Sequence, residues 1–529
     1  MAPQTPAASG LFHSLEKLPL YSRLAWSAGT GALVSLSFTG WSIGLVVWIV
    51  PAGLILLSLA SRSRAAFGCG FFHGFAFVLT SLYWIAAVLA VHGGLSSAEG
   101  AAILVLIAAA WGVLTGLFAW CVKRAARISV FAAFVMAPFF WVAMEFARTH
   151  LPEIGFPWNL IGYAAAQNLG LVQITTVTGI FGLSFVVLAF NAAIAIAIHS
   201  DSRKRLAIAA VFGAALALTA GVGPFFLPVA YSAHVARAVQ PNFPESEVYP
   251  ADWYAENAAS LADLERISLA PSRAPADLLL WPEVPTPFSF QDSRFAILAS
   301  RIAVNFQHPF LAGAAEWKVD PSATGEARGR LAPFNSAILI DAHGQRVFSY
   351  DKMHLVPFGE YEPFPLIHRV VRSLSSEVGG FRPGYERRIG ALPGGHRFGA
   401  FICYESIFPG EIRRFAAGGA ELLINLSNDG WFGRSAAAEQ HLRMARVRTV
   451  ENRRWLLRAT NNGYTVSVDP YGRIVKRIPP DQRLAADLPY DFRTETTFYT
   501  RFGDWFAWLC VLISAILLAL SFRAERIIR

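Results

Sequence analysis

Long apolar runs separated by short polar loops fill the first 228 residues, and one more apolar run lies near the end of the chain. A membrane-spanning helix needs about 20 mostly apolar residues. By that measure the pattern predicts eight spans: 24–39, 42–60, 68–91, 100–121, 130–147, 176–198, 206–227 and 504–522. We interpret 24–60 as a hairpin that breaks near Gly40, because a single helix of that length would far exceed a bilayer core of about 30 Å.

Positive charges accumulate on one side of the predicted spans. They are Lys17, Arg23, Arg62, Arg64, Lys123, Arg124, Arg127, Arg203, Lys204, Arg205, Arg523, Arg526 and Arg529. Because Lys and Arg of short loops stay cytoplasmic, both termini are predicted to be inside. The predicted domains are a seven-helix membrane domain (1–228), an extracytoplasmic domain (229–500), and an eighth helix with a cytoplasmic tail (501–529).

Residues 229–500 have the composition of a soluble domain, in which short apolar runs alternate with helical stretches. Strands are predicted at 233–239, 277–281, 309–313, 335–341, 398–404, 421–426 and 464–468, and helices at 251–269, 293–305 and 436–453. Runs such as LLLW and ELLINL are apolar throughout, as expected for strands covered on both faces. The predicted class is α/β. Glu283, Cys403 and Asn428 each follow or end a strand, where such folds bind ligands.

The composition of the chain argues against a soluble protein and against nucleic-acid, metal or cofactor binding. Hydrophobic residues make up 54% of the chain and charged residues 15%, against about 25% charged residues in a soluble protein. The net charge of +9 comes without a long Lys/Arg run interleaved with aromatic residues, so we expect no nucleic-acid partner. The histidines are scattered and no paired-Cys or HExxH spacing occurs, so we expect no metal and no cofactor.

Cys403 is the single cysteine of the predicted soluble domain. Such a thiol is a candidate nucleophile, and an inert buried cysteine is the ordinary alternative. Glu283, in LLLWPEVPTPF, is a candidate base towards a thiol, and Lys352, in YDKMHLVPFGEYEPF, could stabilise an oxyanion. Their ordinary alternatives are a surface-turn Glu and a solvated loop Lys. Glu360 could orient Lys352, and His354 is a further candidate base.

The strings WPE, DKMHLVPFGE and ICYES, around Glu283, Lys352 and Cys403, resemble the nitrilase superfamily. LINLSNDGWFG (423–433) and AVQPNF (238–243) fit the same superfamily, so the resemblance covers most of 229–495. FPWNLIGYA (156–164), KMHLVPFGEYEPF and the eight spans resemble its membrane branch, the apolipoprotein N-acyltransferases. The resemblance implies a polytopic α-helical membrane domain and a nitrilase-like αββα sandwich with a Glu–Lys–Cys triad.

The same resemblance implies a two-step acyl transfer in a bacterial inner membrane. Cys403 would take a fatty-acyl group from a phospholipid, with phosphatidylethanolamine as the implied donor. The resulting thioester would acylate the α-amine of a diacylglyceryl-cysteine lipoprotein. Glu283 would act as the base and Lys352 would stabilise the oxyanion. Three further residues would support or border the site: Glu360, Tyr404 and Glu405. The catalytic domain would be periplasmic, the lipid bilayer would be a partner, and a monomer is expected.

Two other functions stay open at this point. A membrane-tethered nitrilase-like amidase would use water as the acceptor, and a transporter or sensor would carry an inactive domain. Spans of a transporter usually hold functional charges. Here Glu145 is the main acidic residue within a predicted span and lies near its end, which argues against the transporter. The aromatic residues of 149–175 are interpreted as an interfacial belt, with a substrate-facing role as the alternative. The apolar loop 355–381 is hypothesised to be a mobile lid.

Overall fold

The computed structural model describes residues 10–39, 43–93, 95–151, 155–200, 203–244, 252–271, 274–283, 288–321, 329–357, 359–361 and 380–528. The chain divides into two compact units: Met1–Ala86 with Ala98–Leu227 and Phe502–Arg529, and Ala87–Ser97 with Pro228–Arg501. The predicted break near Gly40 and most of the predicted lid, 355–381, lie outside the described residues.

The first unit is helical, as its long apolar runs predict. Its α-helices are Gly10–Lys17, Leu20–Ser35, Val46–Ile49, Pro51–Ala60, Ser63–Ser81, Ser97–Ala125, Val130–Thr149, Ile161–Ala165, Thr175–Thr178, Ile180–His199, Arg203–Val222 and Trp505–Ile528. Helix Trp84–His92 runs from the first unit into the second. Short 3₁₀ turns at Leu36–Phe38, Leu171–Ile174 and Gly223–Phe226 complete the helical segments of this part.

Five of the described helices are long and apolar enough to cross a membrane: Ser97–Ala125, Val130–Thr149, Ile180–His199, Arg203–Phe226 and Trp505–Arg523. A sixth span results if Ser63–Ser81 and Trp84–His92, which are bent by 52° at their junction, count as one. The predicted first two spans correspond to Leu20–Ser35, of 16 residues, and to the shorter apolar stretch Val46–Ala60. The predicted count of eight is therefore not confirmed.

The FPWNLIGYA segment lies inside the helical unit. Trp158 and Tyr163 are both buried, so the interpretation as an interfacial aromatic belt was wrong. Two polar side chains of Val130–Thr149 hold the segment inward. Glu145 accepts the Ile161 N–H at 2.7 Å, and Arg148 donates to the Trp158 carbonyl oxygen at 3.1 Å. The acidic residue noted within a span thus satisfies the backbone of a buried segment, as apolar surroundings require.

The described residues of the second unit form two six-stranded sheets. The strands are β1 (His234–Gln240), β2 (Leu278–Leu280), β3 (Phe310–Val319), β4 (Leu331–Ile340), β5 (Arg346–Asp351), β6 (Ile389–Ala391), β7 (Arg397–Ile402), β8 (Leu422–Ser427), β9 (Trp455–Thr460), β10 (Val466–Val468), β11 (Ile474–Arg477) and β12 (Leu484–Tyr490). The first sheet has the order β12–β1–β2–β3–β4–β5 and the second β6–β7–β8–β9–β10–β11. The helices are Trp253–Glu256, Ala258–Leu269, Ser293–Phe306, Pro409–Ala417, Ala437–Asn452 and Phe498–Phe502.

Side-chain alternation along the strands builds the layers. On β2, Leu278 and Leu280 pack into the core shared with the second sheet, whereas Leu279 packs with helices Ala258–Leu269 and Ser293–Phe306. On β7, Phe401 contacts Phe415 of helix Pro409–Ala417, while Phe398 contacts Phe348 of β5. Helices therefore cover the outer face of each sheet, and the sheets meet face to face. This is the αββα arrangement that the resemblance implied.

Candidate active site

Cys403 directly follows the buried strand β7 and begins the 3₁₀ turn Cys403–Ile407. Its backbone is left-handed, with φ at 48°. That conformation costs a residue with a β-carbon about 1–2 kcal/mol, so the surrounding structure must impose it. The side chain is only 6% exposed. The thiol thus lies at the carboxyl end of a parallel strand, where the sequence predicted chemistry.

Lys352 follows β5 and lies between two carboxylates. Its Nζ donates to Oε1 of Glu283 and to Oε1 of Glu360, each at 2.9 Å. Nδ2 of Asn335, on β4, donates to the same two oxygens at 2.8 Å and 3.0 Å. All four side chains are buried. One ammonium and one amide therefore hold two carboxylates together, which would otherwise repel each other.

Backbone N–H groups bind the remaining oxygen of each carboxylate. Val356 donates to Oε2 of Glu360 at 2.7 Å, and Asn428 donates to Oε2 of Glu283 at 2.8 Å. Asn428 directly follows β8 of the second sheet, so Glu283 bridges the two sheets. Both carboxylates are fixed in orientation by these bonds.

The Cys403 thiol lies beside this cluster. Its Sγ is 4.0 Å from the Asn428 carbonyl oxygen, and the charges of Glu283, Lys352 and Asp429 act on it. Burial and then the charge of Glu283 raise the pKa of Cys403, and the ammonium of Lys352 lowers it by less. The resting thiol is therefore protonated at neutral pH and needs a base before it can attack.

Lys352 keeps its charge in this site. Burial alone would lower the pKa of Lys352, but the charges of Glu283 and Glu360 outweigh burial and raise that pKa well above its ordinary value. A fixed cation near a nucleophile can stabilise an oxyanion that develops on the attacked carbonyl. The structure thus brings a thiol, a carboxylate and an ammonium, the three predicted catalytic residues, into one buried site.

Glu405 ties the Cys403 turn to the segment that carries Lys352. Its Oε2 accepts the Ile402 N–H at 2.7 Å, and its Oε1 accepts the Tyr350 hydroxyl and the Met353 N–H, each at 2.7 Å. Burial raises the pKa of Glu405, and these donors oppose the shift. The neighbouring Tyr404 is buried as well. Both residues thus lie beside Cys403, and their roles stay predictions.

His354, the further candidate base, lies against helix Pro409–Ala417 and its preceding residue. Its ring stacks on Phe408 with centroids 4.6 Å apart, and its Nε2 is 3.7 Å from the Glu411 carboxylate. Burial raises the pKa of Glu411, but His354 and Arg387 outweigh burial and lower it to about 2. His354 is therefore the partner of a carboxylate outside the Glu283–Lys352 cluster.

Three buried polar residues near the site were not predicted: Asn335, His441 and Arg458. Nε2 of His441 is 3.0 Å from the Cys403 carbonyl oxygen, and Arg458 donates to Asp429 at 2.7 Å. A polar residue inside an apolar run is a usable signal for Asn335 (FNSAILI) and for Arg458 (WLLRAT). A single His on a predicted helix gives no such signal. Within the described ranges, no group of three or more His, Cys, Asp or Glu could hold a metal ion.

Comparison with known proteins gives matches over both parts of the chain. Residues 235–496 match the family described as carbon-nitrogen hydrolase, and residues 30–193 match the apolipoprotein N-acyltransferase N-terminal domain. An apolipoprotein N-acyltransferase of Geobacter metallireducens is 34% identical over 507 residues, which cover 94% of this chain and 95% of that relative. One of Rhodopseudomonas palustris is 31% identical over 516 residues, which cover 90% of each chain.

A solved structure is also similar to part of this chain. It is an amidase of the nitrilase superfamily from Nesterenkonia AN1, with 21% identity over 50% of this chain and 93% of that chain. The TM-score is 0.35.

Proposed function

This chain belongs to the apolipoprotein N-acyltransferase family, and from that premise we propose that it N-acylates lipoproteins through an acyl thioester on Cys403. Family membership supports the N-acylation, because the relatives named for it are matched over 90% or more of both chains. The observation that carries the thioester is a buried thiol on which the charges of Glu283 and Lys352 act. Those are the groups that a covalent acyl transfer needs.

In the first proposed step, Glu283 accepts the proton of the Cys403 thiol, and the thiolate attacks an ester carbonyl of a phospholipid such as phosphatidylethanolamine. A carbon–sulfur bond forms and the carbonyl electron pair moves to oxygen. Lys352 and a backbone N–H near Cys403 stabilise that oxyanion. When it collapses, the glycerol oxygen leaves with the proton from Glu283. The lysophospholipid departs, and the acyl group stays on sulfur.

In the second proposed step, the α-amine of a diacylglyceryl-cysteine lipoprotein attacks the thioester carbonyl. Glu283 accepts a proton from the amine, the carbon–sulfur bond breaks, and Cys403 recovers its proton as the amide forms. Because Glu283 alternates between charged and neutral forms, Lys352 needs a counter-charge that stays constant. Glu360, at 2.9 Å from the Lys352 Nζ, is suited to that role.

We further propose that 229–500 is the catalytic domain of an inner-membrane enzyme, with that domain periplasmic and both termini cytoplasmic. The chain is a membrane protein by its apolar helices. The orientation is supported by basic residues at corresponding ends of alternate helices. Lys123 and Arg124 lie in the last turn of Ser97–Ala125, and Arg523 lies late in Trp505–Ile528. Such residues mark the cytoplasmic ends of spans.

Intact-mass analysis of the full-length protein in phospholipid vesicles tests the thioester. Wild type should gain one fatty-acyl group on Cys403, and a diacylated lipopeptide with a free α-amine should discharge it. A lipopeptide with an acetylated α-amine is the matched control and should leave it in place. Cys403→Ala should carry no acyl group and should lose transfer by at least about a thousandfold. Equal discharge by water would favour the amidase alternative, and full activity of Cys403→Ala would overturn the proposal.

A further inference from the structure

The left-handed backbone of Cys403 needs a cause in the structure around it. Cys403, the predicted nucleophile, is one of the described non-glycine residues with a positive φ. Cysteine, unlike asparagine, has no local side-chain hydrogen bond that favours this conformation. The cost of about 1–2 kcal/mol must be offset by contacts of the Cys403 backbone.

His441 makes such a contact. It lies on helix Ala437–Asn452 with no exposed surface, and its Nε2 is 3.0 Å from the Cys403 carbonyl oxygen. A carbonyl oxygen can only accept, so Nε2 must carry a proton and donate. The Arg458 guanidinium, which can only donate, is 3.0 Å from the Nδ1 of His441. Oδ1 of Asp429, which can only accept, lies 3.1 Å from the same Nδ1. Nδ1 therefore faces both a donor and an acceptor, whereas the contact with the Cys403 carbonyl oxygen places a proton on Nε2.

The partners of the imidazole are themselves fixed. Nη2 of Arg458, on β9, donates to both oxygens of Asp429 at 2.7 Å and 2.9 Å. The Ser427 hydroxyl donates to Asp429 Oδ1 at 2.9 Å. Burial raises the pKa of Asp429, but Arg458 and His441 together outweigh burial, and the pKa is lowered. Burial and then the charge of Arg458 lower the pKa of His441, while Asp429 and the Cys403 carbonyl oxygen oppose that shift.

A buried ion pair of this kind contributes little net stability, because desolvation offsets the attraction. Its effect is geometric. Asp429 directly follows Asn428, whose N–H holds Glu283 and whose carbonyl oxygen faces the Cys403 thiol. The network therefore fixes the base and the nucleophile relative to each other from the second sheet.

We propose that His441 is a positioning residue whose Nε2–H holds the Cys403 carbonyl oxygen and thereby the left-handed backbone of the nucleophile. That backbone directs the thiol towards Glu283 and Lys352. The inference rests on the proposed function in one respect, that Cys403 is the nucleophile. Removal of the donor should misplace the thiol, and a misplacement of about 1 Å can cost 10²-fold in rate.

Two substitutions that differ by one methylene test this role. His441→Gln can place an amide N–H where Nε2 lies, whereas the shorter amide of His441→Asn reaches only the Nδ1 position. We expect His441→Asn to lower kcat by about 10- to 100-fold with little change in KM, and His441→Gln to recover most of that loss. The rate at which iodoacetamide alkylates Cys403, followed by peptide mass spectrometry, should fall most in His441→Asn and much less in His441→Gln.

His396→Asn is the matched control. His396 directly precedes β7, at the strand end opposite Cys403, and also pairs with a carboxylate, Glu421, at 2.8 Å. The His396→Asn variant should have the kcat and the Cys403 alkylation rate of the wild type. Equal kcat and equal alkylation for His441→Gln and His441→Asn would overturn the positioning role. Alkylation needs no acyl donor, so it tests the role of His441 independently of acyl transfer. Absence of an acyl-enzyme in the wild type would refute the proposed function and not the positioning role of His441.

Discussion

The two sheets of the sandwich have the same order of parallel and antiparallel strand pairs, yet they supply different parts of the site. In each sheet three parallel strands have antiparallel partners on both sides. The first sheet contributes a carboxylate after β2 (Glu283), an amide on β4 (Asn335) and an ammonium after β5 (Lys352). The second contributes the thiol of Cys403 after β7 and the backbone of Asn428 after β8.

The ends of β1 and β7 show what is specific to the position of Cys403. Each strand has an antiparallel neighbour on one side and a parallel neighbour on the other. Each is followed by a left-handed residue, Asn242 with φ at 49° and Cys403 with φ at 48°. Asparagine tolerates that conformation, and Asn242 donates to the Asp481 carbonyl oxygen at 3.0 Å. The bend is thus common to both sheets, whereas a cysteine at the bend needs additional support.

The largest expected effect comes from removing the cation of the first sheet. Lys352→Met would leave Glu283 and Glu360 buried without a counter-charge. We expect a loss of about 3–5 kcal/mol in the free energy of unfolding, because an unpaired buried charge is costly, and loss of acyl transfer. Thermal unfolding of the full-length protein in detergent and the lipopeptide assay measure the two effects.

A neutral triple variant separates charge balance from catalysis in the same cluster. In Glu283→Gln/Lys352→Met/Glu360→Gln no charge stays buried, so most of the lost stability should return while transfer stays absent. Wild-type stability in Lys352→Met alone would contradict the paired-ion description of the first sheet.

A smaller effect is expected from the residue that joins the sheets. In Glu405→Gln one end of the side chain becomes a donor, so either Ile402 or the Tyr350–Met353 group loses its acceptor. We expect kcat to fall by about 10- to 100-fold, because the Cys403 turn would shift relative to Lys352. Glu421→Gln, which removes a carboxylate bonded to His396 near the other end of β7, should leave kcat unchanged. An unchanged kcat in Glu405→Gln would show that the sheets need no such link.

Sequence pattern predicted most of the sandwich because apolar runs report burial. All seven predicted strands are confirmed, with shifts at their ends, as are the predicted helices 293–305 and 436–453. The predicted helix 251–269 is instead two helices, Trp253–Glu256 and Ala258–Leu269. The missed strands carry no continuous apolar run. β11 is exposed along its length, and β9 (WLLRAT) is interrupted by Arg458. That arginine is buried because Asp429 pairs with it, a long-range contact that a local pattern cannot report.

In the site, too, local patterns predicted some residues, and long-range contacts could not be predicted. Glu283, Lys352 and Cys403 could be predicted because each lies in a recognisable string beside a strand end. The contacts of Asn335 and His441 could not, because the groups that they bind are distant in the chain: Glu283 is 52 residues from Asn335, and Cys403 is 38 from His441. Burial of Trp158 was mispredicted for a related reason. Aromatic composition alone does not distinguish a lipid interface from a packed interior.

The smallest expected effect tests the bend that the two sheets share. At an ordinary strand position glycine is about 0.5–1 kcal/mol less stable than alanine, and Ala400→Gly within β7 should show at least that loss. At residue 403 the order should reverse, since glycine relieves a left-handed strain of about 1–2 kcal/mol. Cys403→Gly should therefore be at least as stable as Cys403→Ala in thermal unfolding, and Asn242→Gly at least as stable as Asn242→Ala. If Cys403→Gly were instead less stable by the margin of Ala400→Gly, the backbone at Cys403 would be unstrained, and His441 would have no strained conformation to hold.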